Sequence, residues 1–125
     1  MAELIYKEEA YEIVGAAMEV YYTMGLGFLE PIYQEALAVE FSTRGIPFER
    51  EKRLELFYKG TRLNKTYSPN FVCYGEIVLE LKVMPRVTGI EASQLINYLK
   101  IMKKRLGIIA NFGSEKTLEW KRYVV

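Results

Sequence analysis

The sequence predicts a mixed α/β (α+β) fold, a mixed β-sheet flanked by helices in the element order ααβββαββ. Three observations predict it. Two segments of helical period precede Gly45, hairpin-linked segments with β alternation fill the middle, and a capped helix separates these from two returning strands. No Ser/Pro/Gly-rich linker, low-complexity tract or internal repeat interrupts the 125 residues, of which 50% are hydrophobic. Residues 1–125 are therefore expected to form a single domain with its own core.

The first helix is expected from Lys7 to Tyr22, because Tyr6, Ala10, Ile13, Val14, Ala17 and Tyr21 recur at helical spacing; Gly25-Leu26-Gly27 then breaks it. A second runs from Leu29 to Arg44. Pro31 suits its first turn, Ile32, Tyr33, Ala36, Leu37 and Phe41 give its apolar face, and Gly45 suits its end. Phe48 to Tyr58 alternates β-favouring residues with charges and reads as a half-exposed strand, turning at Lys59-Gly60.

Lys65 to Tyr74 reads as a second strand, in which Pro69 removes a ladder donor and implies an edge or a bulge at Ser68-Pro69-Asn70. Gly75 turns the chain into Ile77 to Val83. That strand places Ile77, Leu79, Leu81 and Val83 on one face, and Val78, Glu80 and Lys82 on the other. Thr88 and Glu91 have capping-box spacing, opening a third helix from Gly89 to Leu106 that Gly107 ends. Its apolar face is Leu95, Tyr98, Leu99, Met102 and Leu106. Lys100, Lys103, Lys104 and Arg105 form a basic flank that reads first as a solvated face and second as a nucleic-acid contact. Ile108 to Phe112 is a central apolar strand and Leu118 to Val124 the last strand.

Composition removes whole chemistries. The chain has no His, one Cys and 16 acidic residues, every one of them Glu. Ser-His-Asp and Cys-His catalysis and HExxH zinc sites are excluded, and Cys73 alone builds no disulfide within the chain, zinc site or iron–sulfur cluster. Acid or metal chemistry falls to Glu. The N-terminus lacks a signal peptide's basic start and apolar run, and no segment reaches the roughly 20 apolar residues of a membrane span, so a soluble, cytoplasmic protein is expected. Residues 1–60 carry 6 Lys/Arg and 11 Glu, and residues 61–125 carry 11 and 5, so the halves differ in sign, −5 and +6. That asymmetry is weak support for a phosphate-bearing partner.

The residues that carry chemistry are Ser68-Pro69-Asn70 and, ten residues on, Glu80-Leu81-Lys82. A hairpin turning at Gly75 sets Asn70 and Glu80 five residues either side of the turn, close across the ladder, and Lys82 shares Glu80's face. An amide oxygen, a carboxylate and an ammonium then occupy one small volume. Phosphodiester hydrolysis uses such a set: oxygen ligands for Mg²⁺, and a cation to orient water and stabilise charge on the phosphoryl group. It needs no His.

Gly27-Phe28-Leu29-Glu30-Pro31-Ile32-Tyr33 resembles the defining motif of the GxxExxY proteins, a group similar to the PD-(D/E)XK nuclease superfamily. Arg44-Gly45-Ile46, Tyr58-Lys59-Gly60, Glu80-Leu81-Lys82, Gln94 with Tyr98-Leu99-Lys100, and Asn111-Phe112-Gly113 follow in the family's order. The resemblance implies a restriction-endonuclease-like αβββαβ core, with one extra helix and a terminal strand here. It implies a metal site for Mg²⁺ or Mn²⁺ at Glu30, Asn70 and Glu80, with Glu80, Lys82 and Gln94 as catalytic residues and Tyr33 and Tyr98 as accessory candidates. It implies nucleic acid, DNA or RNA, as the partner.

One departure bears on activity. Asn70 stands where the family pattern has Asp, and it brings no negative charge to a metal. Glu91, where relatives often carry His, reads as a helix cap. Taken singly, Glu80 and Lys82 would be a charged strand pair, Glu30 a helix-dipole acid, and Tyr33 and Tyr98 core aromatics. Cys73 reads as a small strand residue. The expectation is a divergent nuclease-like domain with attenuated Mg²⁺-dependent hydrolysis of nucleic acid. The alternatives are an inactive module binding nucleic acid or protein, and a homodimeric scaffold using the 10 Tyr as interface.

Overall fold

A computed structural model describes residues 4–125. It contains α1 (Lys7–Met24), α2 (Glu30–Arg44), β1 (Phe48–Arg50), β2 (Leu54–Tyr58), β3 (Thr61–Tyr67), β4 (Phe71–Cys73), β5 (Ile77–Lys82), α3 (Gly89–Met102), β6 (Leu106–Asn111) and β7 (Glu119–Val124). Five strands form one mixed sheet in the order β1-β4-β5-β6-β7, and β2 and β3 form a separate two-stranded ribbon. Only β5 and β6 run parallel, joined across the sheet face by α3. That crossover puts the helix N-terminus beside the C-terminal end of β5.

The element order is thus ααβββββαββ, because the strands expected over Phe48–Tyr58 and Lys65–Tyr74 are each divided. Both leave the sheet at one level. Arg50 pairs with Phe71 inside it; Glu51 then adopts φ 48°, and its N–H reaches the Asn70 carbonyl at 3.1 Å. On the partner segment Ser68-Pro69-Asn70 interrupts the ladder, as the missing proline donor requires. Pairing resumes at Leu54 with Tyr67 in the ribbon, whose second strand, β3, starts at Thr61 and not Lys65. The third helix stops at Met102, four residues short of the expected Leu106, because Lys103 takes the left-handed cap and its N–H bonds the Leu99 and Lys100 carbonyls. Gly107 lies inside β6 instead.

Two apolar clusters sandwich the sheet. Ile13, Ala17, Leu37 and Phe41 from α1 and α2 pack with Phe71, Ile77, Leu79, Leu81 and Ile108, whereas Leu95 and Leu99 of α3 cover Val72, Val78 and Ile109. The period-2 alternation of β5 accounts for both: odd positions face α1 and α2, and even positions face α3. Glu80 and Lys82 continue the even set past Val78. Phe41, Phe48 and Phe71 pack at 5.1–5.6 Å between ring centroids, pinning β1 and β4 to α2. Gly113 is forced by proximity, since a Cβ there would lie 2.4 Å from the Met84 nitrogen. Among the described residues no helix is long and apolar enough to cross a membrane.

Candidate active site

A cleft of about 190 Å³ opens where β5 ends and α3 begins. Tyr67, Glu80, Lys82, Glu91, Gln94 and Tyr98 line it, with Leu95 and Ile109 as its floor. Helical spacing explains the α3 contribution: Glu91, Gln94, Leu95 and Tyr98 fall at i, i+3, i+4 and i+7 on the face turned to the sheet. Strand alternation explains Glu80 and Lys82.

Asn70 ties the sheet to α2. The β4–β5 register, Phe71 to Leu79 and Cys73 to Ile77, sets Asn70 level with Glu80. Its side-chain Oδ1 accepts the Leu81 N–H at 2.8 Å, which fixes the orientation of the amide because a backbone N–H can meet only the oxygen. Nδ2 therefore points the other way. It donates to Gln34 Oε1 at 2.5 Å and reaches Glu30 Oε1 at 3.4 Å. Glu30, the first residue of α2, and Gln34, one turn on, share the helix face that meets Asn70.

Glu80 is held from the other side by the Tyr67 hydroxyl, which donates to its Oε1. The Tyr67 ring lies flat on Tyr98, with centroids 3.6 Å apart and planes 1° from parallel. Burial pushes the Glu80 carboxyl above its ordinary range and the Glu30 charge adds to this, while the Tyr67 hydrogen bond and the Lys82 ammonium act in the opposite direction. The Tyr67 phenol is itself pushed up, first by burial and then by the Glu80 charge.

Glu30, Asn70, Glu80, Lys82, Gln94 and Tyr98 thus gather at one end of the sheet. Tyr33 lies elsewhere. Its ring is fully buried against Phe112, 4.8 Å between centroids, and its hydroxyl donates to the Gly25 carbonyl at 2.6 Å, so it locks the α1–α2 turn and leaves no group for the cleft. Glu91 accepts the Thr88 N–H at 2.7 Å in a full capping box; that bond is the first cause of its lowered pKa. Lys104 donates to the Gly75 carbonyl at 2.8 Å, which places the basic end of α3 at the opposite end of β5 from Glu80. Burial pushes the Cys73 thiol up to about 12 and leaves it unreactive at neutral pH.

Sequence reading missed two participants. Gln34 was open to inference from its i+4 relation to Glu30. Tyr67 was not, because its approach to Glu80 requires the ribbon to leave the sheet.

Mg²⁺ prefers hard oxygen ligands and commonly uses one or two carboxylates. Glu80 lines the cleft, and Glu30 adjoins it through Asn70. The third position presents an N–H, since the oxygen of Asn70 is committed to Leu81. Among the described residues no group of three or more His, Cys, Asp or Glu is arranged to hold a metal ion. The donor set fits a divalent cation only as a two-carboxylate site.

A mixed sheet covered by helices on both faces, with an acid and a lysine at the end of its central strand, has the architecture of restriction-endonuclease-like proteins. The chain belongs to the PD-(D/E)XK nuclease superfamily, whose family model matches residues 7–123. No curated protein and no solved structure gives a significant match.

Proposed function

We propose that this chain is a nucleic-acid-binding, nuclease-like protein of the GxxExxY group, acting in the cytoplasm as a single domain, whose Mg²⁺-dependent phosphodiester hydrolysis is attenuated at Asn70. The observation that carries the reading is that Asn70 joins Glu30 of α2 to the β5 backbone at Leu81, next to Glu80, which lines the cleft together with Lys82. Glu30 and Glu80 would hold Mg²⁺ or Mn²⁺, which when bound supplies a lowered water pKa and charge neutralisation at the phosphoryl oxygens. Lys82 would orient the attacking water and stabilise negative charge on the phosphoryl oxygens. The water oxygen bonds to phosphorus as its proton passes to solvent, and the ester P–O bond breaks with the leaving oxygen taking a proton from solvent. Gln94 and Tyr98 border the space that the phosphate enters, and Tyr67 keeps Glu80 aimed into it.

Attenuation follows from charge. Replacing a ligand carboxylate by an amide that presents an N–H removes transition-state stabilisation of several kcal/mol, and each ~1.4 kcal/mol is a factor of ten in rate. The orientation of the Asn70 amide also favours a second reading, a binding module without turnover. One assay separates them: cleavage of single- and double-stranded DNA and RNA in Mg²⁺ or Mn²⁺ by the native chain, Asn70→Asp, and Asn70→Asp with Lys82→Ala. Gain of cleavage in Asn70→Asp, abolished by Lys82→Ala, supports the attenuated nuclease. Nucleic-acid binding with no cleavage by any variant supports the module, and neither binding nor cleavage removes both readings.

A further inference from the structure

The ribbon from Leu54 to Tyr67 leaves the main sheet, and its strands pair only with each other. An isolated two-stranded ribbon is marginally stable in water, so its anchorage matters. Leu54, Leu56 and Tyr67 at its base are half-buried, with Tyr67 stacked on Tyr98 over the cleft. Every residue from Phe57 to Thr66 is exposed. The ribbon strands and their turn carry three basic residues, Lys59, Arg62 and Lys65, against one acid, Glu55, which Arg62 meets at 3.3 Å; Lys52 and Arg53 lead into the ribbon, with Lys52 3.6 Å from Glu49.

Two aromatic rings stand among these cations. Phe57 and Tyr58 are 61% and 62% exposed. Lys59 Nζ lies 5.5 Å from the centre of the Tyr58 ring, and Phe57 is the cross-strand partner of Arg62. Being consecutive in β2, the two rings face opposite sides of the ribbon. Tyr58 stands four residues from Leu54, the partner of Tyr67, which is ~14 Å along the strand.

Resting on the nucleic-acid reading above, we propose that the β2–β3 ribbon is a binding arm for single-stranded nucleic acid, which it leads into the Glu80 cleft along Tyr58 and Tyr67. Positive charge selects a polyphosphate, and exposed rings beside cations offer stacking platforms that only unpaired bases can use. A duplex hides its base faces and would engage the cations alone. A second copy of the chain adding to the open ribbon edges would have to bring these same cations together, which is how natural edges resist self-pairing. The basic end of α3, at the far end of β5, is outside the path.

The test is fluorescence anisotropy with the full chain in EDTA, using labelled 20-nucleotide dT and rU strands and a 20-base-pair duplex over a series of KCl concentrations. Comparison is made with Phe57→Ala/Tyr58→Ala, Lys59→Ala/Lys65→Ala and Lys100→Ala/Lys103→Ala, each checked by thermal melt. The native chain binds the single strands more tightly than the duplex. The aromatic pair loses at least tenfold in affinity, and the Lys59/Lys65 pair lowers the salt slope by roughly 1.4, or 0.7 per lost phosphate contact. The α3 pair stays within twofold. The dT and rU strands separate a DNA arm from an RNA arm. Preference for duplex, equal binding by the ribbon variants, or no binding at low salt overturns the arm. Because cleavage is absent in EDTA, loss of binding in ribbon variants upholds the arm even if Asn70→Asp never cleaves. Cleavage with unchanged binding in those variants upholds the nuclease and discards the arm.

Discussion

Asn111 and Asn70 are both buried amides beside the C-terminal end of β5, one on β6 and the other at the entry to β4. Asn111 Oδ1 accepts the Met84 and Gly113 N–H groups, both at 3.0 Å, and Nδ2 donates to the Met84 carbonyl at 2.8 Å and to Glu119 Oε1 at 2.9 Å. A backbone carbonyl demands one of its protons, so only an amide fits. At Asn70 both N–H bonds go to side chains, Gln34 and Glu30. Gln34 can turn its own amide to offer an N–H to a carboxylate, and Glu30 would share a cation with one. The fold dictates the residue at 111, whereas at 70 the protein has a choice of charge.

Exchanging amide for carboxylate at each position breaks or sharpens that comparison. Asn111→Asp places a buried carboxylate against the Met84 carbonyl and Glu119, and the expected loss is about 3–5 kcal/mol in a urea titration, unrelieved by Mg²⁺. A loss below about 1 kcal/mol would mean that the Met84 turn rearranges freely and that the contrast is false. Asn70→Asp is milder. It loses about 1–2 kcal/mol in EDTA, from one hydrogen bond and carboxylate repulsion, and regains about 1.4 kcal/mol when Mg²⁺ is tenfold above its Kd. The native chain, with an N–H at that position, gains less from the ion. Equal Mg²⁺ effects on both proteins would remove Asn70 as the limiting ligand.

The sequence made half of this contrast legible. Period-2 alternation put Glu80 and Lys82 on one face, and the turn at Gly75 set Asn70 level with Glu80, because strand geometry depends only on residue count once the turn is known. The helix carrying Gln94 and Tyr98 followed from its capping box. What was not legible depends on three dimensions. Pro69 signalled an interruption but not that the chain would leave the sheet there, and nothing in the type of Glu51 announces its left-handed conformation. Without that departure Tyr67 is an ordinary strand residue. Tyr33 shows the same limit: motif position cannot say whether a hydroxyl faces the cleft or, as here, the Gly25 carbonyl.

Tyr67 also gives the smallest expected effect, and the one that reads the site's charge directly. Tyr67→Phe keeps the ring on Tyr98 and deletes the donor to Glu80. That hydrogen bond lowers the Glu80 pKa against the dominant effect of burial, so its removal moves the carboxyl further up. A carboxyl raised in the folded state is stabilised in its neutral form; its contribution is present below the ordinary carboxylate range and is lost as pH rises through the raised value. The falling limb of stability against pH therefore moves to higher pH in Tyr67→Phe. The deficit relative to the native chain is about 1 kcal/mol above the Glu80 titration, the net worth of a hydrogen bond, and smaller below it. Carbon-13 titration of the Glu80 carboxyl checks the cause. An unchanged or lower midpoint in Tyr67→Phe would show that the phenol does not favour the ionised form, leaving Lys82 as the main group that holds the Glu80 charge in the cleft.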